Sequence, residues 1–200
     1  EGGMICTNDA NIYQQLRMLR SHGMVRESND SEIHKVYKEA NPDLNPDFIF
    51  AFPAYNMRNN EIGGIMGINQ LKRLDDIVIK RTENLYRFIN QLDSNKYRTD
   101  FKLEGSSNYA FNLILKEPND VLVAKLMDKM NKSGIEFRRG SAGGGNQTRQ
   151  PYLKGILPDN HYINFPETEH IHFYGFYIGN FPDLKGEEID DICRIINSVI

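Results

Sequence analysis

The 200-residue sequence predicts a mixed α/β chain whose last hundred residues form a small α+β domain. Three observations predict it. Apolar residues alternate at Tyr109, Phe111, Leu113 and Leu115, and again at His172, Tyr174, Phe176 and Ile178, as strands with one buried face require. Helical spacing appears at Val121, Leu122, Leu126 and Met130, and at Ile189, Ile192, Cys193, Ile196 and Val199. A longer helical pattern runs from Asn60 through Ile77, Val78, Leu85, Phe88, Ile89 and Leu92.

Taken in order, residues 3–7 read as a short strand. Asn8 or Asp9 then caps a helix with Ile12, Leu16 and Leu19 on one face, and Gly23 suits its C-terminal end. His22 in Ser21-His22-Gly23 is either a substrate-side contact or a histidine capping the helix dipole. Residues 27–47 are polar, carry Pro42 and Pro46, and read as a loop with room for one short helix. Phe48, Phe50 and Phe52 follow, as core packing or as a pocket wall.

The stretch 54–75 organises the chain. A polar turn, Tyr55-Asn56-Met57-Arg58-Asn59-Asn60, leads into a helix that Asn59 or Asn60 can cap. Gly63, Gly64 and Gly67 are poor helix formers, so something packs there at backbone distance, or the turn ahead of them offers N–H groups to an anion. Continued to residue 92, this helix would span some thirty residues, about 45 Å, long enough to bridge two subdomains.

Further on, Pro118-Asn119-Asp120 opens a helix that Gly134 ends, and residues 135–139 form a second strand. The loop 140–150 carries Gly143-Gly144-Gly145 between Arg138-Arg139 and Arg149. Glycines let backbone approach a ligand, and guanidinium groups bind paired phosphate oxygens in a fork. The bland alternative is a hairpin with solvated charges. Neither a Walker loop nor a dinucleotide fingerprint fits the spacing. Glu136, beside the arginines, is an ion-pair partner or an acid facing a site. His170 and His172 would share one strand face, as a metal pair lacking an evident third ligand or as structural histidines.

Composition narrows the function. A net charge of −3 excludes general affinity for nucleic acid, and no run approaches a membrane span. The start has no signal-peptide pattern. Cys6 and Cys193 lie far apart without CxxC spacing, so a zinc finger or disulfide framework is not expected and a cytoplasmic setting is.

Several motifs together resemble one family. Tyr55-Asn56-x-Arg58, Glu61-Ile62, Gly67 and Gln70-Leu71-x-x-Leu74-Asp75 are similar to the DegT/DnrJ/EryC1/StrS family, pyridoxal-phosphate enzymes acting on nucleotide-linked keto-sugars. Glu1-Gly2-Gly3 resembles the turn that follows the family's cofactor-binding lysine. The phrase Glu136-Phe137-Arg138-Arg139-Gly140, with Ala142 to Gln147 and Gln150-Pro151-Tyr152, resembles the sugar 3-dehydratase branch. The branch carrying an iron–sulfur cluster is not matched, since two scattered cysteines cannot supply about four thiolates.

The resemblance implies a type I aminotransferase fold and a chain that is a fragment. Residues 1–60 would end the large cofactor domain, 61–95 form a connecting helix, and 96–200 the small domain. It implies pyridoxal 5'-phosphate or pyridoxamine 5'-phosphate as cofactor, a nucleotide-linked 4-keto-6-deoxy sugar as substrate, and a role in deoxysugar and O-antigen-type polysaccharide synthesis. It implies a homodimer through the Asn56 region, with Asn56 on the cofactor phosphate of the neighbouring subunit. Arg58, Phe48, Arg139, Gly143, Asn146, Gln147 and Arg149 are the implied substrate side chains, and Glu136 the implied acid. The lysine of an aminotransferase, or the histidine of a 3-dehydratase, would precede Glu1. A non-enzymatic rival is a stand-alone sugar-nucleotide-binding or regulatory module.

Overall fold

The computed structural model describes residues 3–140 and 145–200. The chain divides into two compact units, 1–72 and 73–200.

In the first unit, α1 (Ala10–Leu19) starts where the Asp9 carboxylate accepts from the Asn11 and Ile12 N–H groups, and the Gly23 N–H closes its far end on the Met18 carbonyl at 2.9 Å. Residues 3–7 form no strand; residues 3–6 are exposed, and no strand among the described residues takes their backbone groups. The polar stretch after Glu27 holds a full ten-residue helix, α2 (Ser31–Ala40), capped by Asp30. Among the described residues of this unit the buried apolar side chains are few: Met18, Met24, Val25 and Ile49.

The helical run from residue 60 is two helices. Asn60 caps α3 (Glu61–Leu71) by accepting from the Gly63 N–H at 2.9 Å. Lys72 closes it, Arg73 leaves helical geometry, and α4 (Leu74–Gln91) restarts with Asp75 and Asp76 in its first turn, where carboxylates suit the dipole. The three glycines weaken the first segment, so the break leaves a poor helix former on one side and a well-started helix on the other. Ile62, Ile65, Met66, Ile68 and Leu71 on α3 are each more than 60% exposed. A Cβ at Gly64 or Gly67 would meet nothing within 4 Å, so the backbone packing expected at these glycines is not made among the described residues.

The second unit is a three-stranded antiparallel sheet in the order β1–β3–β2, comprising β1 (Ala110–Ile114), β2 (Phe137–Arg139) and β3 (Gly175–Gly179). The helices α4, α5 (Asp120–Lys132, capped by Asn119) and α7 (Gly186–Asn197) contribute Leu85, Phe88, Leu126, Met130, Ile189 and Ile196 to one core with Phe111, Leu113 and Phe176. Phe88 and Phe111 stack with centroids 4.4 Å apart. Burial pushes the Cys193 thiol up to about 12, which marks it as a packed, unreactive group.

The alternating pattern at 172–178 is a strand only in its second half. Pro166 at the first helical position and Glu167 and Glu169 in the first turn start a helix, α6 (Pro166–Tyr174), and β3 begins at Gly175. Residue 175 has to be glycine here, because a Cβ would overlap the Ile171 carbonyl. His170 and His172 therefore sit on a helix, and no cluster of metal-binding side chains occurs among the described residues.

Candidate functional site

The expected site residues fall in both units. In the first, residues 20–25 run antiparallel to 49–57, with bridges at Ser21↔Asn56 and Met24↔Phe50. The His22 N–H donates to the Tyr55 carbonyl and the Met57 N–H to the Arg20 carbonyl, both at 2.8 Å. Two left-handed residues permit this crossing. Gly23, at φ +74°, lies against the Phe52 carbonyl where any Cβ would clash, and His22 holds φ +58°. Left-handed geometry at a non-glycine residue is uncommon, and it places the exposed His22 beside the Asn56 turn.

The Asn56 side chain is exposed and makes no hydrogen bond among the described residues. Arg58 is committed: its Nε donates to the buried Ser21 Oγ at 2.9 Å and its Nη2 to Glu27 Oε1 at 2.5 Å. Glu27 also lies 3.8 Å from Arg26, whose guanidinium sits 4.8 Å from the centroid of the exposed Phe48 ring. A continuous chain of contacts thus joins Phe48 to Arg26, Glu27, Arg58 and Ser21, and through the backbone to Asn56. Sequence reading singled out Phe48, Arg58 and Asn56 and missed Glu27, which ties them together; its signal was only a carboxylate six residues past the serine.

In the second unit, the glycine-rich loop stands on two fixed feet. At the first, the Gly140 N–H donates to the Gly175 carbonyl at 2.8 Å. At the second, the Asn146 N–H donates to His172 Nδ1 at 3.1 Å, and Gly145, at φ +90°, packs where a Cβ would overlap the His172 ring. The Asn146 side chain is 1% exposed and fully used: its amide donates to Glu169 Oε1 at 2.7 Å, and its oxygen accepts from Thr148 N–H and Oγ. Arg149 Nε donates to both Glu169 oxygens, at 2.8 and 2.9 Å, and Nη2 joins the same carboxylate. Its guanidinium also lies 3.7 Å from the Tyr162 ring centroid. The hydrogen bonds from Arg149, with that from Asn146, hold the Glu169 carboxyl below the usual carboxylate range.

Arg139 is on the core-side row of the sheet, opposite Phe176, and its Nη2 donates to the Phe173 carbonyl at 2.5 Å. Glu136 is exposed, ahead of β2. It belongs to the other side of the sheet with Arg138, whose pKa is raised by a hydrogen bond to Tyr177 and then by the Tyr177 and Glu136 charges. The structure thus gathers Asn146, Arg149 and Gln147 at one foot of the loop, with Tyr152 donating to Gln147 Oε1 at 3.0 Å, and leaves Glu136 apart. Gly143, like Glu1 and Gly2, lies outside the described residues. His172 reads in the sequence as a strand residue, half of a metal pair or a structural histidine, and Glu169 is not singled out, because nothing in the spacing announces that a helix will carry them to the loop.

The chain is 29% identical over 198 residues to GDP-4-keto-6-deoxy-D-mannose 3-dehydratase of Escherichia coli O55:H7, covering 98% of this chain and 50% of that protein. It superposes on the structure of the E. coli GDP-4-keto-6-deoxy-D-mannose-3-dehydratase with bound hydrated PLP at a TM-score of 0.70 and 25% identity, over 95% of this chain and 48% of that one. The PMP form of the sugar aminotransferase Spr1654 from Streptococcus pneumoniae shares the fold, at a TM-score of 0.70 and 16% identity over 96% and 45% of the two chains. The chain spans about half the length of the curated 3-dehydratase it matches. A family model matches residues 1–197, and the chain belongs to the DegT/DnrJ/EryC1/StrS aminotransferase family.

Proposed function

We propose that this chain is the C-terminal part of an enzyme that uses pyridoxal 5'-phosphate or pyridoxamine 5'-phosphate on a nucleotide-linked 4-keto-6-deoxy sugar, as a 3-dehydratase or an aminotransferase. The observation that carries the reading is the similarity to a GDP-4-keto-6-deoxy-D-mannose 3-dehydratase along 98% of this chain. The cofactor, when bound, supplies an electron sink for the sugar carbons.

The residues of this chain fit one corner of such a cofactor, its phosphate. The exposed Asn56 amide has an unused donor, and the start of α3 lies a few residues on, where N–H groups and the dipole favour an anion. Asn56 would donate to the phosphate of the cofactor bound by a partner subunit. Arg58 holds the Asn56 turn through Ser21 and Glu27, a support in addition to the substrate contact that the family pattern gives it. Phe48, Arg139, Gly143 and Gln147 are assigned to the nucleotide sugar, and Asn146 and Arg149 serve it from the foot of the loop. Glu136 is the weakest of these assignments, since its exposed place on the far side of the sheet from Arg139 supports an ion-pair role equally well.

The homodimer is supported by α3, whose apolar side chains lie in the open within this chain. Unpaired Cys6 and Cys193 fit a cytoplasmic setting, and no helix among the described residues is long and apolar enough to cross a membrane. The test is turnover of GDP-4-keto-6-deoxymannose by the whole protein, with loss of the C3 hydroxyl or gain of an amino group as readout, beside the 200-residue chain alone. Turnover by the whole protein and none by the chain is expected. Turnover by the chain alone would overturn its status as a part, and binding without turnover by the whole protein would favour a non-catalytic module.

A further inference from the structure

We infer that His22 is a phosphate-binding residue of the Asn56 turn: its imidazole and the Asn56 amide serve one phosphate, that of the cofactor or that of a nucleotide sugar. The identity of the ligand rests on the function proposed above; the place of His22 and its lack of another task stand on geometry.

Ser21-His22-Gly23-Met24 is a tight turn, closed by the Met24 N–H donating to the Ser21 carbonyl at 3.0 Å, with φ +58° at His22 and +74° at Gly23. Turns with two left-handed central residues are mostly built from glycine, asparagine and aspartate. Gly23 has a visible reason, since a Cβ there would overlap the Phe52 carbonyl. An imidazole at residue 22 has no such reason in the turn itself, where glycine or asparagine would take the same backbone with less strain. Nor does it close the helix. The Leu16 carbonyl accepts from the Arg20 N–H, and the Met18 carbonyl from those of Ser21 and Gly23. Thus α1 ends on backbone bonds, and His22 donates to none of its carbonyls. His22 is exposed, and its ring has no hydrogen-bond partner among the described residues.

The surroundings of His22 suit an anion. Its N–H donates to the Tyr55 carbonyl at 2.8 Å and Ser21 pairs with Asn56, so His22 and Asn56 are neighbours across the crossing. Asn56 keeps an unused amide donor. Arg20, on the other flank of Ser21, is exposed and in no ion pair among the described residues. Glu27, the carboxylate that reaches this crossing, is already met by Arg58. Imidazole and amide N–H groups both donate, and a phosphate accepts through several oxygens at once. An imidazole also binds metals, but no group of three metal-binding side chains occurs among the described residues.

The experiment places His22→Gly and His22→Asp in the whole protein freed of cofactor. Melting temperature is measured without ligand. Calorimetry compares pyridoxal 5'-phosphate with pyridoxal, and GDP and UDP with their nucleosides. His22→Gly should leave the melting temperature unchanged or raise it, because glycine adopts left-handed backbone freely. It should raise the dissociation constant of a phosphorylated ligand about tenfold, the scale of one charge-assisted hydrogen bond, and leave the phosphate-free counterpart unaffected. A loss confined to pyridoxal 5'-phosphate assigns the cofactor phosphate, and a loss confined to GDP or UDP assigns the diphosphate of the substrate. Unchanged affinity for every phosphorylated ligand would overturn the inference, and so would equal weakening of the phosphate-free ones. If His22→Gly melts lower, His22→Asp decides, since aspartate also suits the turn but offers a phosphate only acceptors. Stability regained with binding still weak supports the inference; stability and binding regained together would make His22 a turn residue and overturn it. An unaltered protein that binds neither pyridoxal 5'-phosphate nor a nucleoside diphosphate would sink the proposed function and this inference with it, whereas normal binding that His22→Gly leaves untouched sinks this inference alone.

Discussion

The two units of this chain bury their apolar residues to very different degrees. In residues 73–200, three helices and a sheet close around Phe88, Phe111, Leu126, Phe176 and Ile189, each 2% exposed or less. In residues 1–72, the most apolar helix of the unit, α3, has no buried residue at all. The second unit owns its core; the first carries apolar surface that its own described residues leave open. Ile62, Ile65, Met66, Ile68 and Leu71 lie exposed along one short helix, and contiguous apolar surface of this kind marks interaction sites when it is large. The difference teaches that folding and function are divided in this chain. In the second unit Asn146 and Arg149 rest on Glu169 of α6, and in the first the Asn56 turn is held by its bridge to Ser21 and by Arg58 on Ser21 and Glu27.

The largest expected effect breaks the self-sufficient side. Phe111→Ala removes a ring stacked on Phe88 at 4.4 Å, and should cost about 3–5 kcal/mol of stability by chemical denaturation. Ile65→Ser, on α3, should leave the stability of the 200-residue chain nearly unchanged and weaken self-association of the whole protein in sedimentation experiments. Equal effects of the two substitutions on the isolated chain would erase the contrast.

Next is Asn56→Ala. Loss of one hydrogen bond to a phosphate should lower cofactor affinity about 10- to 100-fold in an equilibrium titration, with the fold intact. Mixed dimers sharpen the point. Paired with a subunit disabled at its own cofactor site, the Asn56→Ala subunit should affect the active site of its neighbour; an effect confined to its own site would contradict the cross-subunit contact.

Arg139→Ala should raise the dissociation constant of the nucleotide sugar by about tenfold and leave cofactor retention unchanged. Calorimetry that finds no change would show that its bond to the Phe173 carbonyl is structural only.

The smallest effect is a pH dependence of the loop foot. The Glu169 carboxyl is depressed by Arg149 and then by Asn146, so its stabilising contribution is present above the unfolded-state value and is lost as pH falls through the lower folded value. Protection of the 145–149 amides should therefore hold through about pH 4.3, the ordinary glutamate value, and fade only below it. Loss of protection already above that value would contradict the clamp.

Much of this architecture was legible because local signals and packing agreed. Of the paired candidates Asn8 or Asp9 and Asn59 or Asn60, the second of each is the cap, the helix expected from Pro118-Asn119-Asp120 starts there, and the alternating Phe111 and Leu113 read as a strand with a buried face and are one. What failed did so where one pattern served two geometries. His172, Tyr174, Phe176 and Ile178 alternate perfectly, yet Pro166 and the two glutamates behind it set a helix that only Gly175 ends. The run from residue 60 keeps its period through Lys72-Arg73, so periodicity alone could not reveal the break. At the candidate site, the arginines and glycines were conspicuous, but Glu169 and Glu27 were not. Each is an ordinary carboxylate until a fold distant in sequence brings it to an arginine, and Arg149 and Glu169 are separated by twenty residues and an irregular segment.

The contrast between the units is tested most directly by amide hydrogen exchange, comparing the whole protein with the 200-residue chain alone. The account predicts that β1 and β3 are equally protected in both, whereas α3 (Glu61–Leu71) is protected only in the whole protein. Equal exchange of α3 in the two samples would show that its apolar face stays open, and would contradict the homodimer proposed through the Asn56 region.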